Sequence, residues 1–213
     1  ITFTPDGREA YFTRRARRGP GQIHVTRFEE GTWSEPVAAS FALPRDEAPF
    51  IAPDGSRMYF ASNRPGLEGL DGSHDIWVMD RGPEGWLEPS PLDGAVNRPE
   101  VETEDYTLGF ESGPVLLENG ALLYWARSDP DWGSDLFVAE PGPDGAFLAP
   151  RALTINSFGD ETSPAMSPDG RVLVFQGYRD ATGPGEQDLY YSRRTDFGWS
   201  DPVPLPEPIN SVG

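Results

Sequence analysis

The sequence predicts an all-β chain, a β-propeller of four-stranded antiparallel blades with four blades present. Two observations carry that expectation. A tight-turn signature followed by an apolar strand occurs four times, and each copy continues through a second strand to an aromatic residue three positions before a proline. A third supports it: no segment between these markers shows a helical period. Self-similarity at roughly 45 to 60 residues is how propeller blades read in sequence. The units divide the single domain 1–213 approximately into 1–46, 47–98, 99–160 and 161–213, with a truncated five- or six-bladed ring as the alternative.

The turns come first. Pro5-Asp6-Gly7, Pro53-Asp54-Gly55 and Pro168-Asp169-Gly170 combine a proline that presets φ, an aspartate able to bond the backbone ahead, and a glycine that accepts positive φ. Glu118-Asn119-Gly120 is the third-blade variant. Behind them stand Ala10-Tyr11-Phe12, Met58-Tyr59-Phe60, Leu122-Leu123-Tyr124-Trp125 and Val172-Leu173-Val174-Phe175, β-branched or aromatic enough for buried strands. The next strands hold Ile23-His24-Val25, Ile76-Trp77-Val78, Leu136-Phe137-Val138 and Leu189-Tyr190-Tyr191. Asp75, Asp135 and Asp188 open the last three, and Gln22 stands at the first. Trp33, Trp86, Phe147 and Trp199 close each unit as filler between blades, and the prolines after them suit an outermost strand whose far edge needs no ladder partner.

Composition agrees. With 24 Gly and 23 Pro, about a fifth of the chain is turn former. No apolar run approaches the ~18 residues of a membrane span. Zero cysteines exclude disulfides, thiolate catalysis and cysteine-based zinc sites. A net charge of −18 repels nucleic acid backbones and anionic lipid. The start at Ile1, inside a strand and without methionine, suggests that sequence once preceded it.

Taken in order, blade one carries a basic loop, Arg14, Arg15, Arg17 and Arg18, whose plain reading is a solvated run paired with nearby carboxylates. Blade two follows its strand with Ser62-Asn63-Arg64 and a glycine-rich loop ending at His74, read as a solvent-facing loop residue before a ligand or base. His24, on a strand, reads as packed. An insertion at 97–112 is rich in carboxylates, among them Glu102, Asp105 and Glu111, and such insertions map to one face of a repeat array, often the binding face. In blade three the loop holding Asp129, Asp131 and Asp135 alternates carboxylates around a glycine, a pattern able to wrap calcium, against the plainer reading of turn-forming aspartates. Ile155-Asn156-Ser157 recurs as Ile209-Asn210-Ser211.

The combination of Ser167-Pro168-Asp169-Gly170 with Asp188-Leu189-Tyr190, and of Pro53-Asp54-Gly55 with Asn63-Arg64 and Asp75-Ile76-Trp77, resembles WD40-like repeats of the TolB β-propeller type over nearly the whole chain. The resemblance implies a periplasmic or otherwise extracytoplasmic binding scaffold. Related propellers also serve as gating domains of oligopeptidases and occur in carbohydrate-active enzymes.

Repetition separates frame from site. Residues present in every unit, such as Asp54, Asp75, Asp169 and Asp188, serve the fold, and function belongs where units differ. All the long, unequal loops fall at the end of the blades away from the proline-aspartate-glycine turns. Candidate binding residues there are Glu47, Glu111 and Glu161, which precede inner strands and are placed to ring the channel mouth, with Arg64, His74, Glu102 and Asp105. Clustered carboxylates would raise one another's pKa or hold a cation; alternatively each accepts hydrogen bonds from a neighbouring blade's backbone. The leading expectation is a non-catalytic scaffold that binds a protein, small molecule or glycan. The alternative is a glycan- or peptide-acting hydrolase or lyase using channel-mouth carboxylates, although no nucleophile elbow, HExxH or phosphate loop is present.

Overall fold

The structure is a computed structural model describing residues 1–17, 19–65, 74–92, 94–98, 101–102, 107–129, 133–179 and 187–210, of which 101, 102, 107, 108, 128 and 129 as backbone alone. The chain is all-β, four antiparallel blades arranged as a propeller. Blade one runs through Thr2–Phe3, Glu9–Arg15, Gly21–Glu29 and Val37–Ala38; blade two through Glu47–Ile51, Arg57–Ser62, Asp75–Gly82 and Ser90–Pro91. Blade three uses Phe110–Leu116, Leu122–Asp129, Gly133–Ala139 and Arg151–Ala152, and blade four Glu161–Met166, Val172–Gly177, Asp188–Thr195 and Val203–Pro204. A small extra hairpin pairs Val101–Glu102 with Thr107–Leu108. No helix of the described residues is long and apolar enough to cross a membrane.

The repeated turn residues do what their chemistry demands. Asp6, Asp54 and Asp169 each accept the backbone N–H two positions ahead, at 3.0, 2.9 and 3.1 Å, and a neighbouring hydroxyl as well. The Asn119-Gly120 turn is one residue shorter. Leu117 N–H bonds Ala121 O, where Ala52 and Ser167 reach five residues ahead to Arg57 and Val172. That deletion shifts the strand behind it: Leu123, not Tyr124, occupies the place of Tyr11 and Tyr59. One residue of slip turns every side chain to the other face.

The recurring asparagine also has a task. Asn156 donates to Leu136 O at 3.0 Å and accepts Leu136 N–H at 3.0 Å. Asn210 grips Leu189 in the same way, and Asn97 grips Ile76. Each latch ties the end of a blade to the residue after the aspartate at or near the start of its third strand, satisfying backbone groups the ladder leaves unpaired.

Apolar clusters fill each junction. Tyr11, Ile23 and Val25 of blade one meet Met58, Phe60 and Trp77 of blade two; Tyr59 meets Leu122, Tyr124 and Phe147; Leu123 and Val138 meet Leu173, Phe175 and Tyr190. Trp86 reaches back to blade one, its indole N–H donating to Tyr11 Oη at 3.0 Å. Trp199 packs likewise toward blade three and Phe147 toward blade two. Each such ring buried contributes about 1.5–3 kcal/mol. Trp33 departs from the expected role: it remains 44% exposed, and among the described residues no other blade packs over it as blade one does over Trp86.

Candidate functional site

The second strands end and the third strands begin at one end of the molecule. There the inner strands start. Each of the three complete inner strands has a bulge with a positive-φ residue, Ala48, Gly113 and Ser163. Counting from these bulges, the equivalent carboxylates are Asp46, Glu111 and Glu161. Glu47 is the neighbour of that position, in register with Ala61 as Ser112 is with Trp125 and Thr162 with Gln176.

All three equivalent carboxylates are buried, and each meets an arginine. Asp46 pairs with Arg64, whose guanidinium lies 5.1 Å from the Phe60 ring and 5.3 Å from Trp77. Glu161 pairs with Arg179 at 2.9 Å, over Phe175 and Tyr190 at 5.5 and 5.6 Å. Glu111 pairs with Arg98 at 3.1 Å, and Arg98 lies over Phe137 at 5.3 Å. A planar guanidinium suits this place because it bonds a carboxylate edgewise while stacking on a ring.

Glu47 is half-buried, accepting Gly21 N–H at 3.1 Å and bonding Arg15, so the first basic loop is tied to blade two. Arg64 is drawn to Asp46, not Glu47. His74 is half-buried and not simply solvent-facing: its ring centroid lies 4.6 Å from that of Phe110 in an edge-to-face arrangement, Nε2 lies 3.0 Å from Arg45 O, and its carbonyl accepts Glu111 N–H at 2.7 Å. Burial holds its imidazole below the ordinary value, opposed by the Arg45 carbonyl and the charges of Glu47 and Asp46. His24 is packed against Phe12, rings 6.5 Å apart.

Glu47, Arg64, His74 and Glu111 are therefore linked through Arg45 and Asp46 at the ends of blades two and three. Glu161 belongs to the next junction. Asp105 and Asp131 lie outside the described residues, as do the side chains of Glu102 and Asp129. Asp135 lies within the strand Gly133–Ala139, opposite Ala126, and does not open it as the sequence suggested. Among the described residues no three acidic or histidine side chains group to hold a metal ion.

The copies differ most at Glu111. Its blade-four counterpart, Glu161, also receives Ser157 N–H at 2.9 Å and Ser157 Oγ–H at 2.5 Å, so its burial is compensated by hydrogen bonds, although burial still raises its pKa. Glu111 has Arg98 where blade four has Ser157. Its Oε2, Arg98 Nη2 and the Tyr124 hydroxyl are buried without hydrogen-bond partners among the described residues. Burial, reinforced by the Asp75 charge and opposed by Arg98, pushes the Glu111 carboxyl up to about 8. Burial also raises the Tyr124 phenol, with Glu111 adding to the rise. Glu111 is thereby able to hold a proton at neutral pH.

Sequence reasoning missed Asp46, Arg98 and Tyr124. Arg98 had a signal: it follows Asn97, in the place Ser157 holds after Asn156. A further concavity lies at the opposite, turn-bearing end, about 500 Å³, lined by Phe50, Val115, Met166, Trp199 and Arg194.

No protein-family model matches the sequence, and no curated protein matches it. Solved structures do resemble the fold. TolB from Acinetobacter baumannii aligns over 99% of this chain and 43% of its own, with TM-score 0.62 and 18% identity. An α-L-arabinofuranosidase from Lactobacillus brevis aligns over 90% of this chain and 68% of its own, with TM-score 0.55 and 17% identity. A puromycin-hydrolyzing peptidase from Mycobacterium tuberculosis aligns over 94% of this chain and 28% of its own, with TM-score 0.53 and 17% identity. The chain spans less than half the length of the TolB structure, and the likeness at these identities is one of fold.

Proposed function

We propose that this propeller is a non-catalytic binding scaffold whose loop-bearing end receives a protein or glycan ligand, in an extracytoplasmic compartment as the TolB likeness suggests. The observation that carries the reading is the commitment of charge to frame: Arg64 with Asp46 in blade two and Arg179 with Glu161 in blade four pair within a blade over aromatic rings, and Arg98 with Glu111 joins the end of blade two to blade three. Unequal loops projecting from a stiff frame present a surface without needing to move. Paired affinity capture tests this, using the parent chain and a variant with Glu100, Glu102, Glu104 and Asp105 changed to their amides. Capture of one partner by the parent, lost in the variant, supports it; equal capture by both overturns the assignment of the face.

The hydrolase reading keeps one observation in its favour, the buried Glu111 carboxyl, whose pKa burial raises. Turnover of a chromogenic arabinofuranoside or an aminoacyl amide that Glu111→Gln abolishes without loss of folding would replace the scaffold reading. Calcium at the loop holding Asp129, Asp131 and Asp135 is tested by titration calorimetry, where heat and a thermal shift would establish it.

A further inference from the structure

At the turn-bearing end the copies differ most in blade three. Where blades one and two meet, their turns touch: a Cβ added at Gly55 of blade two would lie 2.8 Å from the Pro5 ring of blade one. Blade three has Glu118 in the place of that proline and a turn one residue shorter, and a Cβ added at Gly170 of blade four would meet nothing within 4 Å. Space opens on both sides of the short turn. The hollow of about 500 Å³ lies toward blade four, and a second of about 640 Å³, which shares Leu116, Leu117 and Glu118 with it, lies toward blade two.

The first hollow is walled largely by apolar side chains. Phe50, Val115 and Met166 come from the inner strands of three successive blades, and Trp199 stands on the blade-four side. Among the lining residues the cation is Arg194, in register with Trp199 and with its guanidinium 5.2 Å from the indole ring. Among the described residues no carboxylate lies within ion-pair distance of it.

Blade two shows such an arginine with its acid present. Arg81, in register with Trp86 and 5.0 Å from that ring, bonds Glu9 of blade one at 3.0 Å. Phe28 and Pro141 hold the arginine's place in blades one and three, so the stacked arginine recurs only in blade four. There the residue in the place of Glu9, the one whose carbonyl accepts the N–H that opens the preceding blade's turn, is Ala121. Arg194 keeps the pose and lacks the carboxylate. Two acids also line the hollow, and neither takes that part: Asp169 is held in its own turn by the Ser167 hydroxyl at 2.6 Å and Arg171 N–H at 3.1 Å, and Glu118 is exposed, where water screens its charge.

We propose that this hollow binds a small amphipathic carboxylate, its apolar body against Phe50, Val115, Met166 and Trp199 and its carboxylate on Arg194, as Glu9 sits on Arg81. An apolar concavity with a convergent polar group suits a small ligand, and a guanidinium bonds a carboxylate through two parallel N–H groups. The site lies at the end opposite the loops and is independent of the scaffold reading.

Titration calorimetry with octanoate, octanol and octylammonium tests it. Octanoate should bind one to one, about tenfold more tightly than octanol, with octylammonium the weakest. In NMR spectra the Trp199 indole N–H should shift on adding octanoate while that of Trp33 stays in place. Arg194→Met, at an exposed position, should weaken octanoate about tenfold and leave octanol unchanged, whereas Arg194→Lys keeps most of the affinity. Met166→Glu, which puts an acid in the wall, should abolish octanoate binding with circular dichroism unchanged; if that variant does not fold, Arg194→Met still decides. Absence of heat with octanoate, equal affinity for the three compounds, an unmoved Trp199 signal, or octanoate affinity indifferent to Arg194→Met would each overturn the proposal.

Discussion

Glu111→Gln removes a titrating group while keeping its shape, so it isolates what burial of that carboxyl costs. The folded value lies above the unfolded one, which means the native state binds a proton that the unfolded chain has released. Stability is then fully present below the ordinary value of 4.5 and declines as pH rises toward about 8, where the loss is complete. Each pH unit of displacement is worth roughly 1.4 kcal/mol, so the decline has a ceiling of about 5 kcal/mol. Entry of water beside Arg98 as Glu111 ionises lowers the realised figure. The glutamine variant should lose only this component and keep the background slope set by the other carboxylates. Urea unfolding at about pH 5, 7 and 9 reads it: the parent's free energy should fall more steeply than the variant's, with the variant the more stable at the alkaline end. Parallel curves would refute the reasoning.

Other substitutions probe the frame. Arg64→Met strands the buried Asp46 carboxylate and should cost about 3–5 kcal/mol in urea unfolding, with Asp46→Leu added to it recovering much of the loss. Asn156→Ala frees both the N–H and the carbonyl of Leu136, at about 1–3 kcal/mol for each group left unsatisfied, and hydrogen exchange at Leu136 should lose its protection. Gly94→Ala places a Cβ 2.7 Å from Phe147 O at a φ of 106°, costing about 1–3 kcal/mol of backbone strain beyond the clash. Gly145→Ala, at a φ of 88° in open space, should cost less in the same thermal-melt comparison.

Blade architecture was legible because turn, strand and aromatic recur in one order, and each marker has a local physical cause. The Ile-Asn-Ser repeat was visible but mute, since a side chain bonding a backbone some twenty residues away leaves no local trace. The face that Tyr124 takes was hidden for a related reason: a one-residue deletion at Asn119-Gly120 leaves composition untouched and reverses the face. Among the candidate site residues, Glu111 and Glu161 did fall at equivalent places. Glu47 did not: all three inner strands carry the same bulge, and the carboxylate two residues before it in blade two is Asp46, three before Pro49 as Glu111 is before Pro114 and Glu161 before Pro164.

What the sequence by itself determined was the unit: hairpins closed by proline, aspartate and glycine, strands too apolar to stand alone, and hence a stack of sheets. Which charges meet was settled only in three dimensions. Asp46 finds Arg64, Glu161 finds Arg179, and Glu111, lacking the serine its counterpart enjoys, keeps its proton. The reason is that a turn is decided by a few adjacent torsions, whereas the worth of a buried charge depends on every neighbour that excludes water from it.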